Sequence, residues 1–287
     1  MTRRRATAVG FCAVLLWALL ALFTVGSAPT PPFLLNTFCF GLGGTLGLIW
    51  TAATGALSSL RSVPLRVYLI GTLGLFGYHA LYFSALRIAP AAEAGLIAYL
   101  WPLLIVLFSG LLPGETLRKG HVFGALLGFA GAALIITGGG TGFSGQHLPG
   151  YALAGLCAVT WSGYSVLSRS VGEIPTASVA VFCLASAALS LPLHLIWEET
   201  VLPATALGWA AIIGLGLGPV GLAFYVWDIG VKQGDIQLLG TASYAAPLLS
   251  TLVLVIAGVA APSYLLLWAA LLITGGAAIA ARASFSK

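Results

Sequence analysis

Long apolar runs, separated by short clusters of glycine, proline and charged residues, follow one another along almost the whole chain. A membrane-spanning helix needs about 20 mostly apolar residues, and ten runs reach that length. The connections between them are too short for a soluble domain. The predicted spans cover 6–25, 33–54, 66–86, 92–112, 120–138, 150–169, 176–196, 206–229, 235–257 and 263–281. This pattern predicts an all-α polytopic membrane protein with ten transmembrane helices.

The few cations predict the orientation of these helices. If the N-terminus is cytoplasmic, eleven of the twelve Lys and Arg residues fall on the cytoplasmic side and Arg87 alone falls outside, as the positive-inside rule requires. The first apolar run is longer than the core of a signal peptide, so it is interpreted as a retained helix. Both termini are then cytoplasmic. The eleven cations are Arg3, Arg4, Arg5, Arg61, Arg66, Arg118, Lys119, Arg169, Lys232, Arg282 and Lys287.

Composition excludes whole classes of protein. Hydrophobic residues make up 60% of the 287 residues and charged residues 7%, whereas soluble domains have roughly 45–50% and about 25%. A soluble enzyme cannot be built this way, and the net charge of +5 comes from too few residues to indicate a nucleic-acid partner. The partner that the composition predicts is the lipid bilayer. The 37 glycines suit closely packed membrane helices.

The two halves of the chain resemble each other. Residues 95–104 and 240–249 both have the pattern G-x3-Y-x2-P-L-L, displaced by 145 residues, and Trp17 and Trp161 are displaced by 144. Each half holds five predicted helices, and an odd number inserts the second half with the opposite orientation. Two inverted five-helix repeats are typical of secondary transporters, whose substrate sites lie between the repeats near the middle of the membrane.

This repeat divides the chain into 1–140, holding helices 1–5, a periplasmic linker at 141–149, and 150–287, holding helices 6–10. The linker region contains the pattern G-x-G-x-x-G from Gly140 to Gly145. That pattern indicates a dinucleotide site only between a strand and a helix, so here it is interpreted as a flexible connection. No cofactor and no metal site is predicted.

Aromatic residues inside the spans are the candidate binding residues, because packing alone can use Leu, Ala and Gly. Tyr78 and Tyr82 are four residues apart and share one helix face, and His79 lies between them. The two tyrosines either line a cavity or pack between helices, and the cavity is the favoured interpretation. His79 points about 100° away from them and is interpreted equally well as a hydrogen-bonded core residue or as a substrate contact. Trp17 and Trp161 lie near the middle of their helices, where they line the pathway or pack the contact between repeats. Tyr244 is the repeat counterpart of Tyr99.

Helix 4 combines Tyr99, Trp101 and Pro102. A proline within a helix removes a backbone hydrogen bond and bends the helix, so Pro102 and its counterpart Pro247 are predicted to act as hinges. On a regular helix Tyr99 and Trp101 point about 200° apart, so both are not expected to face the cavity fully. Trp101 is favoured slightly, because its counterpart is only Ala246.

Polar residues within the spans are few. Asn36 is interpreted as an interhelical hydrogen-bonding residue, and Asp228 as the partner of Lys232 one turn further on. No carboxylate is expected deep in the membrane, where charge is costly and usually serves ions or protons. Facilitated transport is therefore favoured over obligate proton coupling.

Taken together, these features resemble the EamA group of the drug/metabolite transporter superfamily. The residues that carry the resemblance are the Tyr82-Phe-x-Ala-Leu-Arg87 segment, the small residues that open helix 4, Pro102 and the Pro113-Gly-Glu115 turn. The second half keeps Pro247 but has Ala260 where Glu115 would stand. The aromatic residues of helices 3 and 4 are most similar to the bacterial aromatic amino acid exporters of this group.

The resemblance implies an inner-membrane exporter of aromatic and other neutral amino acids that is not an enzyme. The protein is expected to work by alternating access, as a monomer or weak homodimer. A multidrug or small-metabolite exporter of the same superfamily is the main alternative. A nucleotide-sugar carrier ranks low because no cation lies deep in the membrane. A membrane-embedded enzyme ranks low because His79 and His194 are isolated, and a scaffold would leave the repeat unexplained.

Overall fold

In a computed structural model, residues 1–140, 142–171 and 174–285 are described. This part of the chain is helical throughout and contains no β-strand. Two residues used in the sequence analysis, Thr141 at the start of the predicted linker and the predicted cytoplasmic cation Lys287, lie outside it. Within the described part, nine helices are long and apolar enough to cross a membrane.

The long helices agree with the predicted spans to within four residues at each end. The sixth is 23 residues long but is not among the nine candidates, because serines and a threonine interrupt its apolar sequence. The helices are α1 Arg3–Gly26, α2 Pro32–Ala53, α3 Leu65–Ile88, α4 Ala91–Ser109, α5 Lys119–Thr137, α6 Leu148–Ser170, α7 Ser178–Trp197, α8 Ala206–Gln233, α9 Ile236–Ile256 and α10 Tyr264–Phe285.

Two of these helices contain a π-helical segment at matching positions. In α3 it covers Leu73–Gly77 and in α8 it covers Gly218–Leu222, again a displacement of 145 residues. A π-helical turn leaves backbone carbonyls without their usual partner, and such turns are frequent at functional sites. In both helices the regular α-helix resumes at the next residue, Tyr78 or Ala223.

Interruptions also occur at matching positions in α4 and α9. The first part of α4 ends at Ala98 and the second begins at Trp101. The first part of α9 ends at Ala242 and the second begins at Ala245. A further interruption in α1 separates Arg3–Trp17 from Leu20–Gly26. In α4 the interruption precedes the proline, so Pro102 is the second residue of the second part, in the first helical turn, where a proline is well tolerated.

Helices of the first half pack mainly on helices of the second. The main pairs are α1 with α8, α2 with α7, α3 with α6, α4 with both α6 and α9, and α5 with α10. Glycines bring the backbones together: Gly10 of α1 meets Gly230 of α8, and Gly124 of α5 meets Gly276 of α10. A side chain at any of these four positions would collide with the backbone of the partner helix.

Candidate functional site

A cavity of about 770 Å³ lies between the two halves. Its wall is formed by α1, α2, α3 and α4 of the first half and by α6, α8 and α9 of the second. It reaches the end of the bundle where α1 connects to α2, at residues 27–32. Seven of the eight predicted binding residues line it, and so does the predicted hinge Pro247. The seven are Trp17, Tyr78, His79, Tyr82, Tyr99, Trp101 and Trp161.

Four tryptophans from four helices form a cluster at the inner part of this cavity. Trp17, Trp101, Trp161 and Trp227 contact one another in all six pairwise combinations, with ring centroids 5.2 to 6.3 Å apart. Trp227 is 1% exposed and does not line the cavity. The three tryptophans that line the cavity thus form a continuous aromatic layer backed by the fourth.

Tyr99 and Trp101, which a regular helix would not both turn fully to the cavity, both contribute to its lining. Their rings lie 6.1 Å apart. The angle of about 200° holds only for an unbroken helix. Because α4 is interrupted between Ala98 and Trp101, the two side chains can turn to the same side.

Tyr244, the counterpart of Tyr99, is not brought to the cavity. It is completely buried, and its hydroxyl oxygen accepts a hydrogen bond from the backbone N–H of Leu103, 3.0 Å away. Leu103 follows Pro102, which is buried and also lies outside the cavity lining. Tyr244 therefore supports the interruption in α4 rather than contacting a ligand, and we leave it out of the proposed binding set.

An aromatic ring of the cavity wall caps each π-helical segment. His79 Nδ1 lies 2.7 Å from the carbonyl oxygen of Leu75, and Trp17 Nε1 donates to the carbonyl oxygen of Pro219 at 3.1 Å. A buried carbonyl without a partner is costly, so these two rings stabilise the irregular backbone beside the cavity. Their orientation follows from that contact.

The two interpretations of polar residues within the spans are confirmed. Asn36 Nδ2 donates to Ser190 Oγ of α7 at 3.4 Å. Asp228 lies 2.8 Å from Lys232 Nζ and also accepts from Thr176 Oγ1 at 2.7 Å. The described lining of the cavity contains no Asp, Glu, Lys or Arg, so any ligand there meets only uncharged groups.

Three aromatic residues of the site were not among the predicted ones. Phe83 and Phe224 line the cavity, and Trp227 completes the tryptophan cluster. The repeat offers the signal that finds two of them, because a displacement of 145 residues relates Phe224 to His79 and Trp227 to Tyr82. Phe83 has no such signal, although it is adjacent to Tyr82.

Comparison with known proteins agrees with this architecture. The EamA-like transporter family matches residues 5–137 and again residues 148–282. The chain belongs to this family. The aromatic amino acid exporter YddG of Ancylobacter novellus is 55% identical over 98% of both chains. The exporter of the same name from Escherichia coli is 26% identical over 96% of both.

A solved crystal structure also superimposes on almost the whole molecule. It covers 99% of this chain and 100% of its own, with a TM-score of 0.94 and 53% sequence identity. Membership of the EamA-like family confirms the resemblance inferred from the Tyr82–Arg87 segment and the Pro113–Glu115 turn. The protein is a membrane transporter.

Proposed function

We propose that the protein exports aromatic and other neutral amino acids across the bacterial inner membrane by alternating access through this cavity. The observation that carries the proposal is the cavity itself, which lies between the two halves and is lined by aromatic side chains without charged groups. The YddG exporters to which the chain is similar are named for aromatic amino acids. Aromatic rings pair favourably with one another at these separations.

In this proposal Tyr78, Tyr82, Tyr99 and the aromatic ring of Trp101 contact the side chain of the amino acid, and the rings of Trp17 and Trp161 form the floor of the cavity. Gating bends α4 and α9 at their interruptions, beside Pro102 and Pro247. Irregular backbone within a membrane is tolerated where it is buried in protein or lines a cavity. Both helices have it at the level of the cavity, which supports this choice of hinges.

We also propose that ten helices cross the membrane as two inverted repeats, 1–140 and 150–287, with both termini in the cytoplasm. The family matches the chain in two segments that agree with this division. The matched π-helical segments and the pairing of helices across the two halves support a pseudo-two-fold axis. With this orientation the cavity faces the periplasm, and the end that carries Arg3 and Arg169 faces the cytoplasm.

Uptake of radiolabelled phenylalanine into proteoliposomes tests the proposed function. Wild-type protein should give saturable flux, and the combined Tyr78→Ala, Tyr82→Ala and Trp101→Ala variant should lose most of it. The matched control replaces two tryptophans and a tyrosine that face outward, Trp50, Tyr264 and Trp268, and should keep its flux. Absence of protein-dependent flux in the wild type, or equal flux in both triple variants, would contradict the proposal.

A further inference from the structure

An amino acid in this cavity poses an electrostatic problem. Its α-ammonium and α-carboxylate groups are both charged, and charge is costly to remove from water unless it is hydrogen-bonded. No charged side chain is available in the described lining. The two groups must therefore be held by neutral acceptors and neutral donors. This inference rests on the proposed function and identifies the residues of the same cavity that hold the two charged groups.

His79 supplies an acceptor. The carbonyl oxygen of Leu75 can only accept, so Nδ1 of the neutral ring must carry the hydrogen that joins them. Nε2 is then unprotonated and acts as an acceptor. This nitrogen has no hydrogen-bond partner among the described residues, and it is not fully buried. Since His79 lines the cavity, Nε2 is open to a ligand.

Asn36 supplies a second acceptor close to the first. Its amide nitrogen is occupied by Ser190, which assigns Oδ1 as the free atom of a side chain that lines the cavity. On α2, Asn36 lies between Phe33, which contacts Phe83, and Phe40, which contacts His79 at a centroid distance of 5.0 Å. Asn36 therefore lies one helical turn from the residue of α2 that contacts His79, so both acceptors belong to the part of the lining formed by α2 and α3.

The tryptophan cluster supplies the donors. An indole N–H can only donate, and two of the four are occupied, since Trp17 donates to Pro219 and Trp227 to Ser165 Oγ. The indole N–H groups of Trp101 and Trp161 have no hydrogen-bond partner in the described part of the chain. Neither nitrogen is fully buried. Both residues line the cavity.

The two kinds of group lie at neighbouring positions of the lining. The rings of His79 and Trp161 each pack against Tyr78, with centroids 5.2 and 5.6 Å away. Both also pack against Phe224, at 6.3 and 5.5 Å. One acceptor and one donor, His79 and Trp161, thus flank the same two aromatic rings, and Trp101 packs against Trp161 with ring centroids 6.3 Å apart. Tyrosine hydroxyls can donate or accept, so they do not favour either orientation.

We propose that Asn36 Oδ1 and His79 Nε2 bind the α-ammonium group of the substrate, while the indole N–H groups of Trp101 and Trp161 bind its α-carboxylate. These residues determine the orientation of the amino acid and its selection over amines and acids that carry the same side chain. Hydrogen bonds to charged groups are stronger than neutral ones, so each contact contributes measurably to selectivity.

Competition by truncated substrates tests this orientation. Phenethylamine lacks the carboxylate of phenylalanine, and 3-phenylpropionate lacks the ammonium group. In His79→Phe, inhibition of phenylalanine flux by phenethylamine should weaken about tenfold, while inhibition by 3-phenylpropionate should stay unchanged. In Trp101→Phe, inhibition by 3-phenylpropionate should weaken about tenfold, while inhibition by phenethylamine should stay unchanged. Equal losses for both analogues in either variant would overturn the proposal.

Two further variants separate recognition from folding. His79→Phe also removes the donor to Leu75, so Asn36→Leu serves as a second probe of the ammonium site and should give the same selective loss for phenethylamine. Ser190→Ala removes the partner of Asn36 Nδ2 but keeps Oδ1, and it should leave the ratio of the two inhibition constants unchanged. A change of that ratio in Ser190→Ala equal to that in Asn36→Leu would contradict the assignment.

The same measurements distinguish failure of this inference from failure of the proposed function. If the wild type transports phenylalanine but every variant loses both analogues equally, the orientation is wrong and the function stands. If the wild type transports no amino acid, the function itself is wrong. In that case, binding of the two analogues to purified protein in detergent, measured by thermal shift, still tests the ammonium site and the carboxylate site without any transport.

Discussion

The two ends of the bundle are held together differently. At the end away from the cavity, a single carboxylate on the α4–α5 connection, Glu115, pairs with Arg3 of α1 and with Arg169 of α6. Arg169 also donates to the carbonyl oxygens of Val231 and Gly234 at the end of α8. This network joins helices of both halves at the end opposite the cavity, beside a pocket of about 810 Å³ that Arg3 and Glu115 help to line.

At the cavity end the corresponding contacts stay within one group of helices. Glu198, at the end of α7, accepts from the backbone N–H groups of Phe33 and Leu34 at the start of α2 and pairs with Arg87 of α3. In the described part of the chain, no ion pair connects this group to α1, α4 or α9. Glu93 of α4 instead accepts from the backbone of Gly142.

The difference shows that the repeat does not extend to the ion pairs. A displacement of 145 residues places Ala260 where Glu115 stands in the first half, so an exchange of conformations between the halves cannot rebuild the network at the other end. In the proposed transport cycle, the state with a closed cytoplasmic end is therefore favoured at rest.

The largest effect is expected at the cavity end. Glu198 is almost fully buried, with a side chain 2% exposed. Its loss leaves two backbone N–H groups without their acceptor and removes the carboxylate partner of Arg87, which still donates to the carbonyl oxygen of Trp197. We expect Glu198→Ala to lower the free energy of unfolding by about 3 kcal/mol, measured by denaturant titration in detergent. The neighbouring exposed Glu199 provides the control, and Glu199→Ala should change stability by less than about 0.5 kcal/mol. Similar losses in both would show that Glu198 is not a structural centre.

At the end that carries Glu115, we expect a smaller loss of stability, together with a local change of conformation. Glu115→Gln should lower stability by about 2 kcal/mol, because Arg169 loses a charged acceptor. The substitution should also separate the helices that Glu115 joins at this end of the bundle. Thr241 of α9 is fully buried, so a Thr241→Cys reporter, in a background without native cysteines, should react with a water-soluble maleimide several times faster when combined with Glu115→Gln.

The same reporter tests the comparison directly. When Thr241→Cys is combined with Glu198→Gln, it should react at the same rate as in the protein that carries Thr241→Cys alone. The reason is that Glu198 does not connect helices at the end that carries Glu115. If both glutamine substitutions accelerate the reaction equally, the two ends are coupled, and the difference between them has no consequence for gating.

Sequence periodicity predicts most of this fold because lipid imposes it. A long apolar run in a membrane must form a helix to satisfy its backbone, so the helix bounds agree closely. The same reasoning fails where the helix is irregular. The π-helical segments at Leu73–Gly77 and Gly218–Leu222 leave no signature in hydropathy, and the interruption before Trp101 redirects a side chain that a helical wheel places elsewhere.

The site was predictable where residue type alone decides, and not where a partner decides. Aromatic side chains inside the spans pointed to Tyr78, Tyr82 and Trp101, which line the cavity. Tyr99 and Tyr244 have the same sequence motif and opposite surroundings, because only Tyr244 meets an unpaired N–H beside it. That contact joins residues 141 positions apart, and no local pattern reports it.

The smallest predicted effect lies between the two ends, at the contact of Tyr244 with α4. Tyr244→Phe removes the acceptor of the Leu103 N–H while keeping the ring, which packs 6.1 Å from Phe129. We expect a loss of about 1 kcal/mol in the free energy of unfolding. Tyr99→Phe is the matched control, because the described residues offer its hydroxyl no partner. It should leave stability unchanged within about 0.5 kcal/mol and act only on substrate binding. Equal destabilisation by the two substitutions would mean that the interruption in α4 does not depend on Tyr244, and that Pro102 alone maintains it.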